Sequence, residues 1–473
     1  MPLRRVFSII VLISSLSGCA APIQSPDLGE LYRRAAREHD EERHPVIVIP
    51  GILGSKLTQG GTDRIVWGAF AGGYADPRTP DGARLFALPM QKDYDLSNLR
   101  DDVVPNGVLD RVRLNLLGLP LELNAYVNIL ATLGVGGYRD ELLGKAGAID
   151  YGQDHYTCFQ FDYDWRRDNV ENARRLHDFI RERRGYVEEA LNRRYGRKPR
   201  EVKFDIVAHS MGGLIARYFL QYGNADLPAD GAAPLITWAG AKYVRRAIII
   251  GTPNAGSAEA LKELVDGAHF GPTLPTYEPA VLGTMPSVYQ LLPRSRHGAL
   301  VDAADSSKTY DMFDPALWEK MGWGLASRKQ ARVLENLLPE IADADARRSI
   351  ALDHQTKCLR RAAAFHAALD APAKPPSGLS LLLYAGDAVP TLAALSVDTQ
   401  SGKLRDALWA EGDGTVLRTS ALMDERVGRT WTAGLVSPIR WTQVTFLLAN
   451  HLGMTKDPIF SDNVLFTLLE DRG

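Results

Sequence analysis

The stretch FDIVAHSMGGLIARYFLQYG, residues 204–223, constrains this chain more than any other. Its first half, within Val202–Ala208, is an apolar run of strand length. Its second half, from Met211 to about Gly223, has helical spacing and ends on a glycine. Ser210 stands between them on a tight strand-to-helix turn. Ala208-His209-Ser210-Met211-Gly212 is a variant of G-x-S-x-G, a pattern whose logic is steric: a serine held at strained dihedrals needs small residues two before and two after it. Ala208 and Gly212 qualify. The positive end of the following helix dipole then faces the serine.

The rest of the chain alternates strand-like and helix-like segments. Pro45–Gly51 (PVIVIPG), YTCFQFDYDW, Val244–Asn254, Leu379–Asp387 and Trp441–His451 read as strands. The segment AYVNILATLGVGGY reads as a helix, and a longer one follows Asp168, with Val170, Ala173, Leu176, Phe179 and Ile180 at helical spacing. This alternation predicts an α/β fold with a mostly parallel sheet covered on both faces, and catalytic groups at the carboxyl ends of the strands. Residues 45–473 form the expected main domain, with a loop-rich insertion at 55–125 and a cap insertion at 255–375.

A serine hydroxyl is a weak nucleophile until a base takes its proton. In this class the chain order is Ser, then Asp or Glu, then His. Of the ten histidines, His39 and His44 come too early, and His209 adjoins the serine and is expected to be structural. His269, His297, His354 and His366 fall in the cap. His451 follows an apolar strand and precedes a last helix, where a base has to sit. Two acids suit it equally by position: Asp387, directly after a strand, and Asp413 in the glycine-rich turn EGDGTV. Charge developing on a substrate oxygen needs two backbone N–H donors, each worth about 3 kcal/mol of barrier. Met211, directly after the nucleophile, is one candidate. Ile52, after Pro50-Gly51, is the other.

Net charge is −2 without long single-sign runs, which argues against a nucleic-acid binder. GILGSK lacks Walker spacing, GVGGYR misses G-x-G-x-x-G, and H-E-x-x-H is absent, so neither cofactor nor metal is implied. The start of the chain is different. Two arginines, an apolar run from Val6 to Leu16 and small residues make a signal peptide over residues 1–19. LSGC, Leu16–Cys19, resembles a bacterial lipobox. This predicts a lipidated Cys19, a tether over residues 20–44 and, because Ala20 is not aspartate, an outer-membrane lipoprotein; the alternative is a periplasmic or secreted protein. Cys158 and Cys358 pair or stay as buried thiols, the sequence favouring neither.

Several of these pieces together resemble the lecithin:cholesterol acyltransferase family, with the related lysosomal phospholipases and phospholipid:diacylglycerol acyltransferases. They are PVIVIPGILGSKL, YDWR (Tyr163–Arg166), HSMGG, GTPNAG, PSVYQLLP (Pro286–Pro293), GDGTV and the late histidine. The resemblance implies an α/β-hydrolase fold with a lid or cap and a catalytic set of Ser210, Asp413 and His451. It favours Asp413 over Asp387 and supports Ile52 and Met211 as oxyanion donors. It implies acyl transfer from a lipid ester at a membrane surface to an alcohol or water; a triacylglycerol lipase or carboxylesterase is the alternative, and a non-catalytic lipid-binding lipoprotein the remote one. The chain departs from the family in lacking cysteines for the animal enzymes' lid disulfides, and its residues 58–110 and 255–285 match poorly. Trp67, with Phe70 and Tyr74, either meets lipid or packs in the core. Asp164 and Arg166 are expected to form a buried structural pair.

Overall fold

The computed structural model describes residues 25–38, 43–62, 64–68, 74–109, 113–116, 119–122, 125–147, 155–196, 201–228, 232, 234–269 and 275–471. Residues 1–19, read as a signal peptide ending at Cys19, lie outside the described residues, as do His39 and Phe70. Among those described, no helix is long and apolar enough to cross a membrane.

Six strands build the central sheet: β1 Val46–Ile49, β2 Cys158–Gln160, β3 Phe204–His209, β4 Val244–Ile250, β5 Ser380–Gly386 and β6 Gln443–Leu447. Their spatial order is β6-β5-β4-β3-β1-β2, and every neighbouring pair is parallel. All residues of β1 and β3 are buried, as expected of strands covered on both faces, where apolar runs replace alternation. The order reverses between β1 and β3, since the chain leaves β1 for β2 on one side and returns to β3 on the other. Such a switch point opens a crevice at the carboxyl edge. Register levels the strand ends there: Ile49 lies opposite Ala208, His209 opposite Ile250, and Gly386 opposite Leu447.

Helices cover the sheet. Helix α1 spans Ala125–Val135 and α2 Asn169–Tyr195. Asp168 caps α2, its carboxylate accepting from the Val170 N–H, and Gly196 ends it at φ 67°. The predicted stripe is real: Val170, Ala173, Leu176 and Ile180 are buried, with Phe179 partly so. Helix α3, Met211–Tyr222, is buried along its whole length. In residues 255–375 the longest element is α4, Ala344–Asp370, capped by Asp343. Helix α5, Pro458–Leu469, closes the chain.

Residues 55–125, read as loop-rich, hold more regular structure than that reading gave them. Strands Ile65–Trp67, Ser55–Gln59 and Val103–Val108 form an antiparallel sheet in that order, and Pro80–Phe86 is helical. Trp67 belongs to the core. It is fully buried, its Nε1–H donates to the Leu53 carbonyl at 2.9 Å, and its ring lies 5.6 Å from Trp165 and 5.9 Å from Phe86. Cys158 in β2 and Cys358 in α4 are separate buried thiols, and burial pushes both well above the usual thiol range.

Asp164 and Arg166 form the expected buried pair. Arg166 Nη2 lies 2.7 Å from Asp164 and 2.8 Å from Asp101, and its Nη1 donates to the carbonyls of Leu85 and Phe86. The guanidinium thus ties the insertion to the end of β2. Arg166→Ala removes these bonds and strands the Asp164 charge, so it is expected to cost about 3–5 kcal/mol. Urea unfolding monitored by circular dichroism checks this; a change below about 1 kcal/mol contradicts it.

Candidate active site

Ser210 occupies φ 53°, ψ −128°, between the last residue of β3 and the first of α3. Three contacts hold this strained turn. The Ser210 N–H donates to the Ile250 carbonyl at 2.8 Å, closing the turn onto β4. The Thr252 hydroxyl donates to the Ser210 carbonyl at 2.8 Å. Glycines let neighbouring backbone approach: a Cβ on Gly212 would overlap the carbonyl oxygens of Pro50 and Ile49, and one on Gly51 would stand 2.8 Å from Ser210 Cβ and 3.3 Å from its Oγ. The serine side chain therefore sits against the loop after β1, in the switch-point crevice. Met211 begins α3, so its N–H has no carbonyl partner within the helix. Ile52 follows Gly51 in the apposed loop. It lines an apolar pocket with Leu53, Phe86, Trp165, Met285 and Val288.

Asp413 is 1% exposed and follows the strand Leu404–Gly412, which pairs antiparallel with Val389–Val397. Its Oδ1 accepts the N–H groups of Thr415 at 2.9 Å and Val416 at 2.6 Å. Its Oδ2 lies 2.7 Å from His451 Nδ1, and the His451 N–H donates to the Asp413 carbonyl at 2.9 Å. Backbone and side chain of the two residues are thus clamped together. With Asp413 accepting, Nδ1 carries the hydrogen, so in the neutral imidazole it is Nε2 that holds the lone pair. The imidazole lies over Gly251 at the end of β4, where a Cβ would meet both Nδ1 and Cε1 at 3.2 Å. Strand β4 is the hydrogen-bonded neighbour of β3, which bears Ser210. The structure therefore brings Ser210, Asp413, His451, Gly51-Ile52 and Met211 to one stretch of the sheet's carboxyl edge.

The other acid and the other histidines are engaged elsewhere. Asp387 pairs with Arg418 at 2.9 Å. His354 Nε2 donates to the Thr284 carbonyl and His366 Nε2 to the Gln290 carbonyl. Burial pushes them down to about 4 and about 3, so both are neutral. His44, His269 and His297 lie against Lys203, Thr276 and Glu425. His209 is structural in the sense expected, with its Nε2 on the His451 carbonyl at 3.2 Å. Sequence reasoning missed Tyr126 on α1, whose hydroxyl accepts the Gly51 N–H at 2.7 Å. No motif marks it, and only the folded packing of α1 on the β1 loop reveals it.

A parallel sheet with this strand order, a serine on a strained strand-to-helix turn and a late histidine held by an acid define the α/β-hydrolase fold. Within that class, residues 138–325 match the family model of lecithin:cholesterol acyltransferase, so the resemblance carried by the motifs is shown independently over that segment. A search of the curated proteins finds no significant match. Among solved structures, the Tle4-Tli4 complex contains a chain that superposes with a TM-score of 0.54 at 16% identity, covering 91% of this chain and 98% of that one. Lipase 1 from Pelosinus fermentans (TM-score 0.32, 13% identity, 90% and 99% covered) and EstA from Clostridium botulinum (0.31, 13%, 95% and 92%) are more distant.

The strain at Ser210 has a measurable cost. A non-glycine residue in this region of dihedral space loses about 1–3 kcal/mol, part of which glycine recovers after its own entropic penalty. Ser210→Gly is therefore expected to raise the unfolding free energy by about 1 kcal/mol, read from denaturant midpoints. A destabilised variant would show that the turn is not strained in solution.

Proposed function

We propose that the protein is a serine-dependent O-acyltransferase or phospholipase, acting on lipid acyl esters through an acyl-enzyme. The family match over residues 138–325 supports a lipid-ester hydrolase or acyltransferase. The observation that carries the assignment of residues is the 2.7 Å contact of Asp413 with His451 Nδ1, with the imidazole lying over Gly251 beside the strand that leads into Ser210. In this reading Ser210 Oγ attacks the ester carbonyl carbon while its proton passes to His451 Nε2. Asp413 holds the tautomer and stabilises the imidazolium. The Ile52 and Met211 N–H groups receive the charge on the former carbonyl oxygen. Collapse breaks the ester bond, and the leaving alkoxide takes the proton from His451. Water or an acceptor alcohol then gives its proton to His451 and attacks the acyl-serine carbonyl; the acyl–oxygen bond to Ser210 breaks and its oxygen takes the proton back from His451. Whether hydrolysis or transfer prevails depends on how well the closed site excludes water; at Ser210 the site is already tight, with 8% of the residue exposed.

The test is product analysis by mass. Phosphatidylcholine vesicles containing a sterol and diacylglycerol are incubated with the wild type and with Ser210→Ala. Lysophospholipid with either fatty acid or a new ester is expected from the wild type, and roughly 10³-fold less or lower from the variant. Equal turnover by both would defeat the assignment. Turnover of triacylglycerol alone would favour the lipase reading.

We also propose that the mature chain is tethered to the outer membrane through a lipid on Cys19, on the strength of LSGC after an apolar run. Cys19→Ser is expected to move the exported protein from the membrane fraction to the soluble one. An unchanged distribution would rule the tether out.

A further inference from the structure

The proposed oxyanion loop and the proposed base loop come from opposite ends of the chain, and a buried side-chain path joins them. Tyr126 on α1 and His209 at the end of β3 are 2% and 1% exposed. The Gly51 N–H donates to the Tyr126 hydroxyl oxygen at 2.7 Å. That oxygen lies 3.4 Å from His209 Nδ1, and His209 Nε2 lies 3.2 Å from the His451 carbonyl oxygen. A carbonyl only accepts, so Nε2 carries the hydrogen and Nδ1 offers its lone pair. The tyrosine hydroxyl, having accepted from Gly51, donates to that lone pair. Each donor along the path thus meets one acceptor, in one direction, from the Gly51 N–H to the His451 carbonyl.

The path also stays uncharged. Burial, with the neighbouring His451 second, pushes His209 down to about 3, and burial pushes the Tyr126 hydroxyl above its usual range. A neutral imidazole in this tautomer spans the space between a hydroxyl and a carbonyl with one donor and one acceptor, which an apolar side chain of similar size cannot do.

We infer that Tyr126 and His209 are positioning residues, holding the loop that carries the Ile52 N–H in register with the loop that carries the His451 ring. The inference rests on the site assignment proposed above. The Gly51 N–H lies one peptide unit before the Ile52 N–H, so anchoring it to Tyr126 fixes the entry of the loop from which the next N–H projects. His451 is fixed on both sides of its backbone, its N–H by the Asp413 carbonyl and its carbonyl by His209. Neither positioning residue is given any contact with substrate. Their effect falls on the alignment of groups that act on charge developing in the reaction, and so on kcat rather than on KM.

The experiment uses the soluble ester p-nitrophenyl butyrate, with active sites titrated by a fluorophosphonate so that rates refer to folded enzyme. Tyr126→Phe and His209→Leu are each expected to lower kcat about ten- to hundredfold, with KM within about twofold. His209→Gln, whose amide supplies both a donor and an acceptor, is expected to recover to within about fivefold of the wild type. The double variant Tyr126→Phe/His209→Leu should fall no more than about threefold below the worse single one, because both cut the same path. An unchanged kcat in Tyr126→Phe, a loss confined to KM, or fully additive losses would overturn the inference while leaving the site assignment intact. Hydrolysis surviving in Ser210→Ala would instead remove the assignment, and the inference with it.

Discussion

Everything at the carboxyl edge of this sheet depends on how closely the chain after β1 approaches the turn after β3. The carbonyls of Ile49 and Pro50 occupy the space a side chain at position 212 would need, and Gly51 rests against the Ser210 side chain. This contact is backbone against backbone, which only residues without a Cβ allow. It places Ser210 beside the next loop's N–H groups without any side chain intervening. It also sets the depth at which α3 begins, and hence where the positive end of its dipole lies.

The second dependence is the clamp between Asp413 and His451. Asp413 accepts four hydrogen bonds: two from the Thr415 and Val416 N–H groups, one from the His451 N–H, and one from its ring. A carboxylate already satisfied by backbone donors is held in one orientation, and the imidazole it meets inherits that orientation. Gly386 and Gly251 matter for the same reason as Gly51. A Cβ at the first would stand 2.7 Å from Asp413 Cβ, and one at the second would stand 3.2 Å from the ring. Strand ends carrying glycine let the acid and the histidine settle directly on the sheet.

Much of this was legible in the sequence because the signals were local. The runs at 46–49, 204–209, 244–250 and 380–386 are almost wholly buried strands whose apolar character needs no tertiary information to read, and 443–447 is a partly exposed edge strand. Ser210 announced itself through the small residues around it, and the Asp168 cap and α2 stripe through helical spacing. What stayed hidden depends on long-range packing. By position alone Asp387, after a strand, and Asp413, in a glycine-rich turn, suited the histidine equally, and only the resemblance separated them; the ladder Val389–Val397 with Leu404–Gly412, unread in the sequence, carries the chain back so that the later acid meets the histidine while Arg418 engages the earlier one. Trp67 was readable only as lipid-facing or core, and Tyr126 only as one residue of a helix; their places, one in an aromatic core and the other under Gly51, follow from folding.

That same ladder has a mechanical side. Val389 pairs with Gly412, and Val389 also bridges to Asp413, so the acid sits at the root of a ladder whose tip turns at residues 398–403 and whose first strand pairs on its other side with Leu300–Asp302. A slip of one residue at the root would carry Asp413 about 3.3 Å along the strand, beyond reach of the ring. The tip is held as well: Asp398 N–H to the Lys403 carbonyl closes its turn, and Gly402 within it is buried, its carbonyl accepting the Trp323 Nε1–H at 2.6 Å. The ladder is thus pinned at both ends, by the acid's clamp at one and by Trp323 at the other, so neither its length nor its register can change alone.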